Sequence, residues 1–452
     1  MKQNSSNPDH TGWRHIWQLT WPIMLSNVTI PLVGAVDVAM MGRLDEPVFI
    51  GGVGLGMLVF NFIYFGLGFL RMGTTGLVAQ NYGRGADMMT VHILLRGISL
   101  AFGLGTLFIL AQSVVISIAI SSFSASNMAE NLMANYISIR LFAMPAALAN
   151  MVILGGLYGR QQMRLGMALL LLVNGLNLAL DFLFVLVLGM AVEGVALASV
   201  VAQWGGLGFM IWRINCIWPG QLGALLRPDT GYRLPSWLDP AAYRQFFQLG
   251  RDILIRTILL IGCEALLLDQ AAKMDDVALA LCQIMLSLFG IMAFAIDGFA
   301  HAAEALVGEA IGRRNPIMLS RVINRTNLLA AIMAVTVSAL FWFGQAPIMS
   351  LMTTQHKLIT AMQPFWIWVA LLPIASFMAF QMDGIFVGAT CGRQMRNAMI
   401  LASGSFALML FWQPFSLGGL MASFVVYLGL RGVSLLALLH HVEARAQPTS
   451  NS

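Results

Sequence analysis

Two aspartates and two asparagines stand in long apolar segments, where ionisable and amide side chains are rare. Asp37 lies late in the first such segment, and Asn174, Asn177 and Asp181 lie in the fifth. Residues four apart share one face of a helix, so Asn177 and Asp181 are expected side by side, with Asn174 one turn earlier on roughly the same side. Ionisable groups in such segments are costly and usually face a cavity or a partner.

These residue types could bind a proton. A carboxylate in low-dielectric surroundings keeps its proton to higher pH, and a second carboxylate nearby strengthens the effect. Pro22 and Pro31 precede Asp37 in the same segment, and each removes a backbone hydrogen bond and permits a bend. Protonation could therefore change the shape of this helix. A structural role stays open, because Asp37 could cap the helix end near Gly42 and Asp181 could bond to nearby backbone.

The second half of the chain carries its own acids in apolar segments. The secondary candidates for cation coupling are Glu264, Asp297, Glu304 and Asp383. Structural ion pairing is favoured for the last three, because Arg251 and Arg256 at the start of the seventh segment could neutralise some of these acids. Glu264 is too isolated in sequence to be given a role.

The composition indicates a membrane protein. Of the 452 residues, 58% are hydrophobic and 10% charged, whereas soluble proteins carry roughly 25% charged residues. We predict an all-α integral membrane fold with twelve transmembrane helices, each needing about 20 residues to cross the hydrocarbon. The predicted spans are 14–40, 50–80, 93–120, 132–158, 165–188, 191–213, 248–272, 277–310, 322–345, 361–388, 396–413 and 416–440.

The charge distribution predicts the orientation. Most arginines fall in or beside alternate short loops, which places those loops and both termini of a multi-pass membrane protein in the cytoplasm. The same distribution, with only three lysines, argues against a nucleic-acid partner. The four cysteines are scattered and form no metal-binding motif, so no metal site is predicted. No catalytic residues are assigned, because His301 beside the acids of the eighth span is the sole, weak candidate for an enzyme.

The chain consists of two related halves. We predict an N-terminal six-helix bundle over 1–213, a cytoplasmic linker over 214–245 and a C-terminal six-helix bundle over 246–452. The supporting matches are Gly159-Arg160-Gln161 with Gly392-Arg393-Gln394, Gly83-Arg84 with Gly312-Arg313, and Pro145 with Pro373, at offsets of 233, 229 and 228. Six spans per half give both halves the same orientation, related by an axis along the membrane normal.

Two bundles that face each other across a cleft are typical of carriers that work by alternating access. The sequence has no phosphate-binding loop of the GxxxxGK[ST] type, so no ATP-hydrolysing cassette is predicted. Transport would have to run on an ion gradient, on a partner or downhill. Dissimilar charges in the two similar halves lead us to expect the proton switch in the N-terminal half.

Five segments together resemble the multidrug and toxic compound extrusion (MATE) family, in its DinF-type branch. They are WPIMLSN at 21–27, GAVD at 34–37, FLRMGTTG at 69–76, DGFAHAAEA at 297–305 and DGIFVGAT at 383–390. The resemblance runs in order over almost the whole chain. It implies a V-shaped, twelve-helix carrier in the cytoplasmic membrane that exports bulky, often cationic, amphipathic compounds. The family's aspartate of the first helix falls on Asp37, and its Asn-x-x-x-Asp of the fifth helix on Asn177 and Asp181.

The resemblance further implies secondary active antiport with no cofactor. The coupling ion is expected to be the proton, with sodium as the alternative. The expected partners are small-molecule drugs or toxic amphipathic compounds and membrane lipid, and the carrier is expected to act as a monomer. A flippase for lipid-linked precursors, of a related two-bundle architecture, is the alternative function. It would need a strongly cationic central cavity, whereas most arginines here fall at the cytoplasmic ends.

Overall fold

A computed structural model describes residues 11–41, 48–123, 125–217, 240–412 and 416–447. The described side chains exclude those of 28, 30–33, 35–41, 214, 215, 217, 240–242 and 245. Asp37 and Pro31, two of the predicted site residues, therefore have a described backbone and a side chain outside the described residues. Most of the predicted linker, 218–239, also lies outside the described residues.

Twelve long helical segments make up the described part of the chain. The N-terminal half contains α1 (Trp13–Met41), α2 (Val48–Gly83), α3 (Asp87–Leu110), α4 (Asn127–Gly159), α5 (Met163–Val187) and α6 (Val192–Ile217). The C-terminal half contains α7 (Pro240–Ala272), α8 (Asp276–Gly312), α9 (Pro316–Phe343), α10 (His356–Gly388), α11 (Gly392–Trp412) and α12 (Leu417–Arg445). Each predicted span overlaps one of these helices, which confirms the all-α fold with twelve long helices.

Several helices are interrupted along their length. α2 breaks at Gly68, and a short helix, Gln112–Ser122, continues α3 after Ala111. α4 and α10 each contain one turn of 3₁₀-helix, at Leu141–Ala143 and Gln363–Phe365. α1, in contrast, runs as continuous α-helix through both of its prolines. Ten of the helices in the described residues are long and apolar enough to cross a membrane by length and composition.

The two halves have the same internal packing. In the N-terminal half α4 packs against α2, α3 and α6, and α1 packs against α5. In the C-terminal half α10 packs in the same way against α8, α9 and α12, and α7 packs against α11. One apolar core consists mainly of residues of the N-terminal half, a second consists of residues of the C-terminal half, and a third contains residues of both. The structure is therefore two similar six-helix bundles joined at one end.

That end is where α2, α4, α8 and α10 finish, and we name it the arginine-rich end after the arginines in its loops. The four turns at this end form two equivalent pairs, and the members of each pair are 229 residues apart in sequence. Left-handed backbone follows α2 at Gly85 (φ 71°) and α8 at Arg314 (φ 51°), which are 229 residues apart. It also follows α4 at Gln161 (φ 60°) and α10 at Thr390 (φ 54°), again 229 residues apart.

This offset corrects one of the sequence matches. Gly159 ends α4, whereas Gly392 begins α11, so the two Gly-Arg-Gln motifs are not equivalent and the offset of 233 is wrong. The equivalent of Gly159 is Gly388, which ends α10. The match of Gly83 with Gly312 is correct, because these residues end α2 and α8. The recurring tripeptide reflects composition at this end of the bundle and not the register of the repeat.

The halves meet through a reciprocal contact at the ends of α2 and α8. A Cβ atom on Gly83 would overlap the carbonyl oxygen of Glu309, and a Cβ atom on Gly312 would overlap the carbonyl oxygen of Gln80. At the offset of 229, Gly83 corresponds to Gly312 and Gln80 to Glu309. Each half thus makes the same contact with the other, as in a twofold dimer interface.

Side-chain hydrogen bonds repeat the same pattern. Gln80 donates from Nε2 to the carbonyl oxygen of Gly388 at 3.0 Å and to Oγ1 of Thr390 at 3.2 Å. Gln161 donates from Nε2 to Oε2 of Glu309 at 2.5 Å. Because Gln161 is equivalent to Thr390, these are corresponding bonds on the two sides of the pseudo-twofold axis. Thr390 Oγ1 also accepts from Arg445 at the end of α12, at 3.1 Å.

We expect Gly83→Ala and Gly312→Ala to destabilise the protein by similar amounts, because each Cβ would meet backbone of the other half. Forcing extra volume into a packed site costs roughly 1–3 kcal/mol. Thermal unfolding of the purified protein in detergent measures the effect. Gly404→Ala in α11 is the matched control, since nothing lies within 4 Å of its Cβ position. A loss of stability in only one of the two variants would contradict the reciprocal contact.

Candidate functional site

In the N-terminal half, a hydrogen bond ties α1 to α5. Asn174 donates from Nδ2 to Oγ1 of Thr29 at 2.7 Å. From this point, position 37 lies eight residues further along α1, and Asp181 lies seven residues further along α5. At 1.5 Å per residue both are roughly 10–12 Å beyond the hydrogen bond, and the two helices run in the same direction. The backbone of Asp37 is therefore nearly level with Asp181.

Asn177 and Asp181 occupy the buried face of α5. Asp181 is fully buried, and Asn177 is 5% exposed. Asn177 lies 3.4 Å from Oγ of Ser199 in α6, so this face is directed towards α6, whereas the half-buried Asn174 reaches α1. Immediately after Asp181 the helix changes to a π-helical turn at Phe182–Val187. Such turns are frequent at functional sites.

In the C-terminal half, two arginines share one carboxylate. Arg256 from α7 and Arg431 from α12 both donate to Oδ2 of Asp383 in α10. All three residues are buried. Arg251, five residues before Arg256 on α7, pairs with its neighbour Asp252 at 3.2 Å. Glu264 lies eight residues after Arg256 on α7 and is close enough to Arg431 to interact with it electrostatically.

A third charged cluster lies between the halves. Arg71 from α2 is 3.4 Å from Oε2 of Glu304 in α8, and Nδ1 of His301 is 3.3 Å from the same oxygen. The ring of Tyr158 from α4 lies 5.6 Å from the His301 ring and 6.0 Å from the Arg71 guanidinium. Asp297, half-buried in α8, interacts electrostatically with His301 and Arg71 on one side and with the charges of α7 and α10 on the other.

α1 closes this cluster from the side. Gly298 of α8 allows Thr20 and Met24 of α1 to pack closely, and the rings of Trp17 and Phe299 are 6.1 Å apart. The buried Pro22 lies within this stretch of α1. α1 therefore contacts α5 at its bond to Asn174 and α8 next to Asp297, and joins the N-terminal acids to the cluster between the halves.

The sequence reasoning gave no role to two arginines that the structure places in these clusters. Arg71 is the single charged residue in the sequence of α2, and Arg431 is the single charged residue between 417 and 437. A charge isolated in a membrane span is itself a sign of a buried partner. The criterion that indicates a site at the acids therefore also indicates one at both of these bases. Their partners, Glu304 and Asp383, are far away in sequence and could not be assigned from spacing.

Comparison with known proteins identifies the family. The family model described as MatE matches residues 22–183 and 253–412, one match in each half. DNA damage-inducible protein F of Escherichia coli (strain K12) is 35% identical over 427 residues, which cover 94% of this chain and 91% of the relative. Probable multidrug resistance protein NorM of Neisseria meningitidis (strain Z2491) is 24% identical over 373 residues, covering 80% of this chain and 79% of the relative.

Solved structures share the fold. One is described as the outward-facing conformation of a multidrug resistance MATE family transporter of the MOP superfamily. It superposes with a TM-score of 0.80 at 18% identity, over 99% of this chain and 100% of the solved one. Proteins of this family are transporters and not enzymes, and they need no cofactor. The chain belongs to the MATE family of multidrug transporters.

Proposed function

We propose that this protein is a secondary active exporter that moves bulky amphipathic or cationic compounds outward in exchange for inward protons. It acts as a monomer in the cytoplasmic membrane, with the arginine-rich end and both termini in the cytoplasm and the two bundles divided by the predicted linker. The names of the NorM relative and of the solved transporter, both described by multidrug resistance, support this substrate class.

The single observation that carries the proton assignment is the hydrogen bond between Thr29 and Asn174. It fixes the register of α1 against α5, which brings position 37 level with the buried Asp181. We infer that the two carboxylates lie close together, and neighbouring carboxylates in a low-dielectric bundle disfavour each other's ionised form. A proton bound by the pair relieves this, and its exchange changes the charge at the end of α1. Because α1 also contacts α8, a change of charge at the end of α1 can alter the contact between the halves.

Asp383 is less suited than the N-terminal acids to bind the coupling ion. Asp383 accepts from two guanidinium groups, so the internal cations already neutralise its charge. A sodium ion or a proton at this carboxylate would have to displace a buried arginine, and an uncompensated buried charge is costly. The geometry thus supports ion exchange in the N-terminal half and a structural role for Asp383.

Asp37→Asn is expected to reduce proton-driven efflux to the level of vesicles without the protein, because the amide cannot exchange a proton. Ethidium efflux is measured in vesicles under an imposed pH gradient, and in parallel under an imposed sodium gradient. Asp269→Asn is the control. Asp269 is an exposed acid that pairs with Lys273, near the C-terminal end of α7. Undiminished efflux by a folded Asp37→Asn variant would refute the proposal, and efflux driven only by sodium would reassign the ion.

For Asp383→Asn the expectation is the reverse. Removing one partner of a buried ion pair costs roughly 3–5 kcal/mol, so thermal unfolding in detergent should occur at clearly lower temperature. The fraction that folds should still couple efflux to the pH gradient, because the proton site is elsewhere. Stable protein that has lost its dependence on the pH gradient would show that Asp383 takes part in ion exchange.

A further inference from the structure

The ion pair between Arg71 and Glu304 crosses from one half to the other. It lies two helical turns before Gly312 on α8, roughly 12 Å inward from the reciprocal glycine contact. At this level the packing itself depends on small groups: a Cβ atom on Gly388 of α10 would overlap the Glu304 carbonyl oxygen. The pair therefore sits directly above the closed arginine-rich end, where the two halves must part when the carrier opens to that side.

Glu304 is held by partners of two kinds. It is 1% exposed, and its Oε2 lies near Arg71 of the opposite half and near His301 of its own helix. Its other oxygen, Oε1, is buried and has no hydrogen-bond partner among the described residues. The further charged or titratable groups that face the cluster are Tyr158 from α4 and Asp297 from α8. Among the described residues, Arg71 is thus the one full cation that the N-terminal half contributes to it.

The pseudo-symmetry indicates that packing does not require this pair. At the offset of 229, Arg71 corresponds to Ala300, and Glu304 corresponds to Thr75. The equivalent positions thus carry small, uncharged residues in the same helix–helix contacts. The charged pair therefore occurs on one side of the pseudo-twofold axis only. Because the shared scaffold packs without such a pair at the equivalent positions, we look for a functional role for it.

Separation of the halves would leave the Glu304 carboxylate without its Arg71 partner. Arg71 moves with α2, whereas Glu304 stays with α8 and remains covered by α10. An ionised carboxylate left in such surroundings with His301 alone is strongly disfavoured, and in practice such a group binds a proton. Closure brings the guanidinium back and favours the ionised form, so that the proton leaves.

We propose that Glu304 is a proton-binding site that fills when the halves separate at the arginine-rich end and empties when Arg71 returns. The site rests on the alternating access of the proposed function but not on the identity of the coupling ion. Because the open form binds one more proton than the closed form, acid favours opening. The site acts on the conformation of the carrier and is separate from the exchange at Asp37 and Asp181.

Distances between two spin labels test the proposal. Met88→Cys in α3 and Ile317→Cys in α9 place labels on exposed positions of the two halves at the arginine-rich end, with the exposed Cys216 replaced by serine. Pulsed electron–electron double resonance in detergent gives the ratio of open to closed molecules between pH 5 and 9. In the parent protein this ratio should rise on acidification, by at most about tenfold per pH unit for one proton.

Glu304→Gln should raise the open fraction at high pH and remove this component of the pH dependence, whereas Glu304→Asp should retain it. Arg71→Gln should also raise the open fraction at high pH, because the pair across the halves is gone. Asp252→Asn is the matched control. It breaks the ion pairs of Asp252 with Arg396 at 2.7 Å and with Arg251 at 3.2 Å, both within the C-terminal half, and it should leave the ratio unchanged.

The same measurements in an Asp37→Asn background separate this proposal from the proposed function. The effect of Glu304→Gln should persist there, even though efflux is lost. An unchanged pH dependence in folded Glu304→Gln, or its loss in His301→Asn alone, would overturn the assignment of the proton to Glu304. Efflux that survives Asp37→Asn would overturn the proposed function and leave the role of Glu304 standing.

Discussion

The close approach of backbone at the arginine-rich end is the constraint on which the rest of the structure depends. Gly83 and Gly312 each lie against a carbonyl oxygen of the opposite half, and neither position has room for a Cβ atom. Glycine permits this approach, and helices in membranes associate largely through such small residues because lipid offers little hydrophobic drive between them. The contact fixes α2 against α8, and through them it sets where the two bundles meet.

The shared scaffold makes the unshared charges easy to recognise. Packing partners, helix ends and left-handed turns repeat at the offset of 229. The charged and amide groups do not: Asp37, Asn177 and Asp181 correspond to Leu266, Phe406 and Leu410, and Asp383 corresponds to Leu154. The two bundles thus have similar helix packing but different buried charged and polar side chains. We infer that the symmetric part provides the motion and the asymmetric part decides what drives it.

The fold could be predicted from the sequence because its signals are local. Long apolar segments, alternating arginine-rich loops and the pair Gly83 and Gly312 indicated twelve spans in two halves. The register of the repeat could not be read from the recurring Gly-Arg-Gln, since the turns that define it depend on left-handed backbone at Gln161 and Thr390. The acids of the site could be recognised because an ionisable side chain in a membrane span has a high energetic cost. Their partners were not, because the contacts of Glu304 with Arg71 and of Asp383 with Arg431 join distant helices.

The reciprocal contact also has a consequence for ancestry. Two identical chains could associate through the same glycine-to-carbonyl contacts, but in such a homodimer every substitution appears twice. An arginine at the position of Arg71 would then also replace its equivalent, Ala300. A fused chain can change one copy alone, so a single charged pair can be placed across the interface. Covalent joining of the two bundles is therefore what allows a symmetric contact to carry an ion pair on one side only.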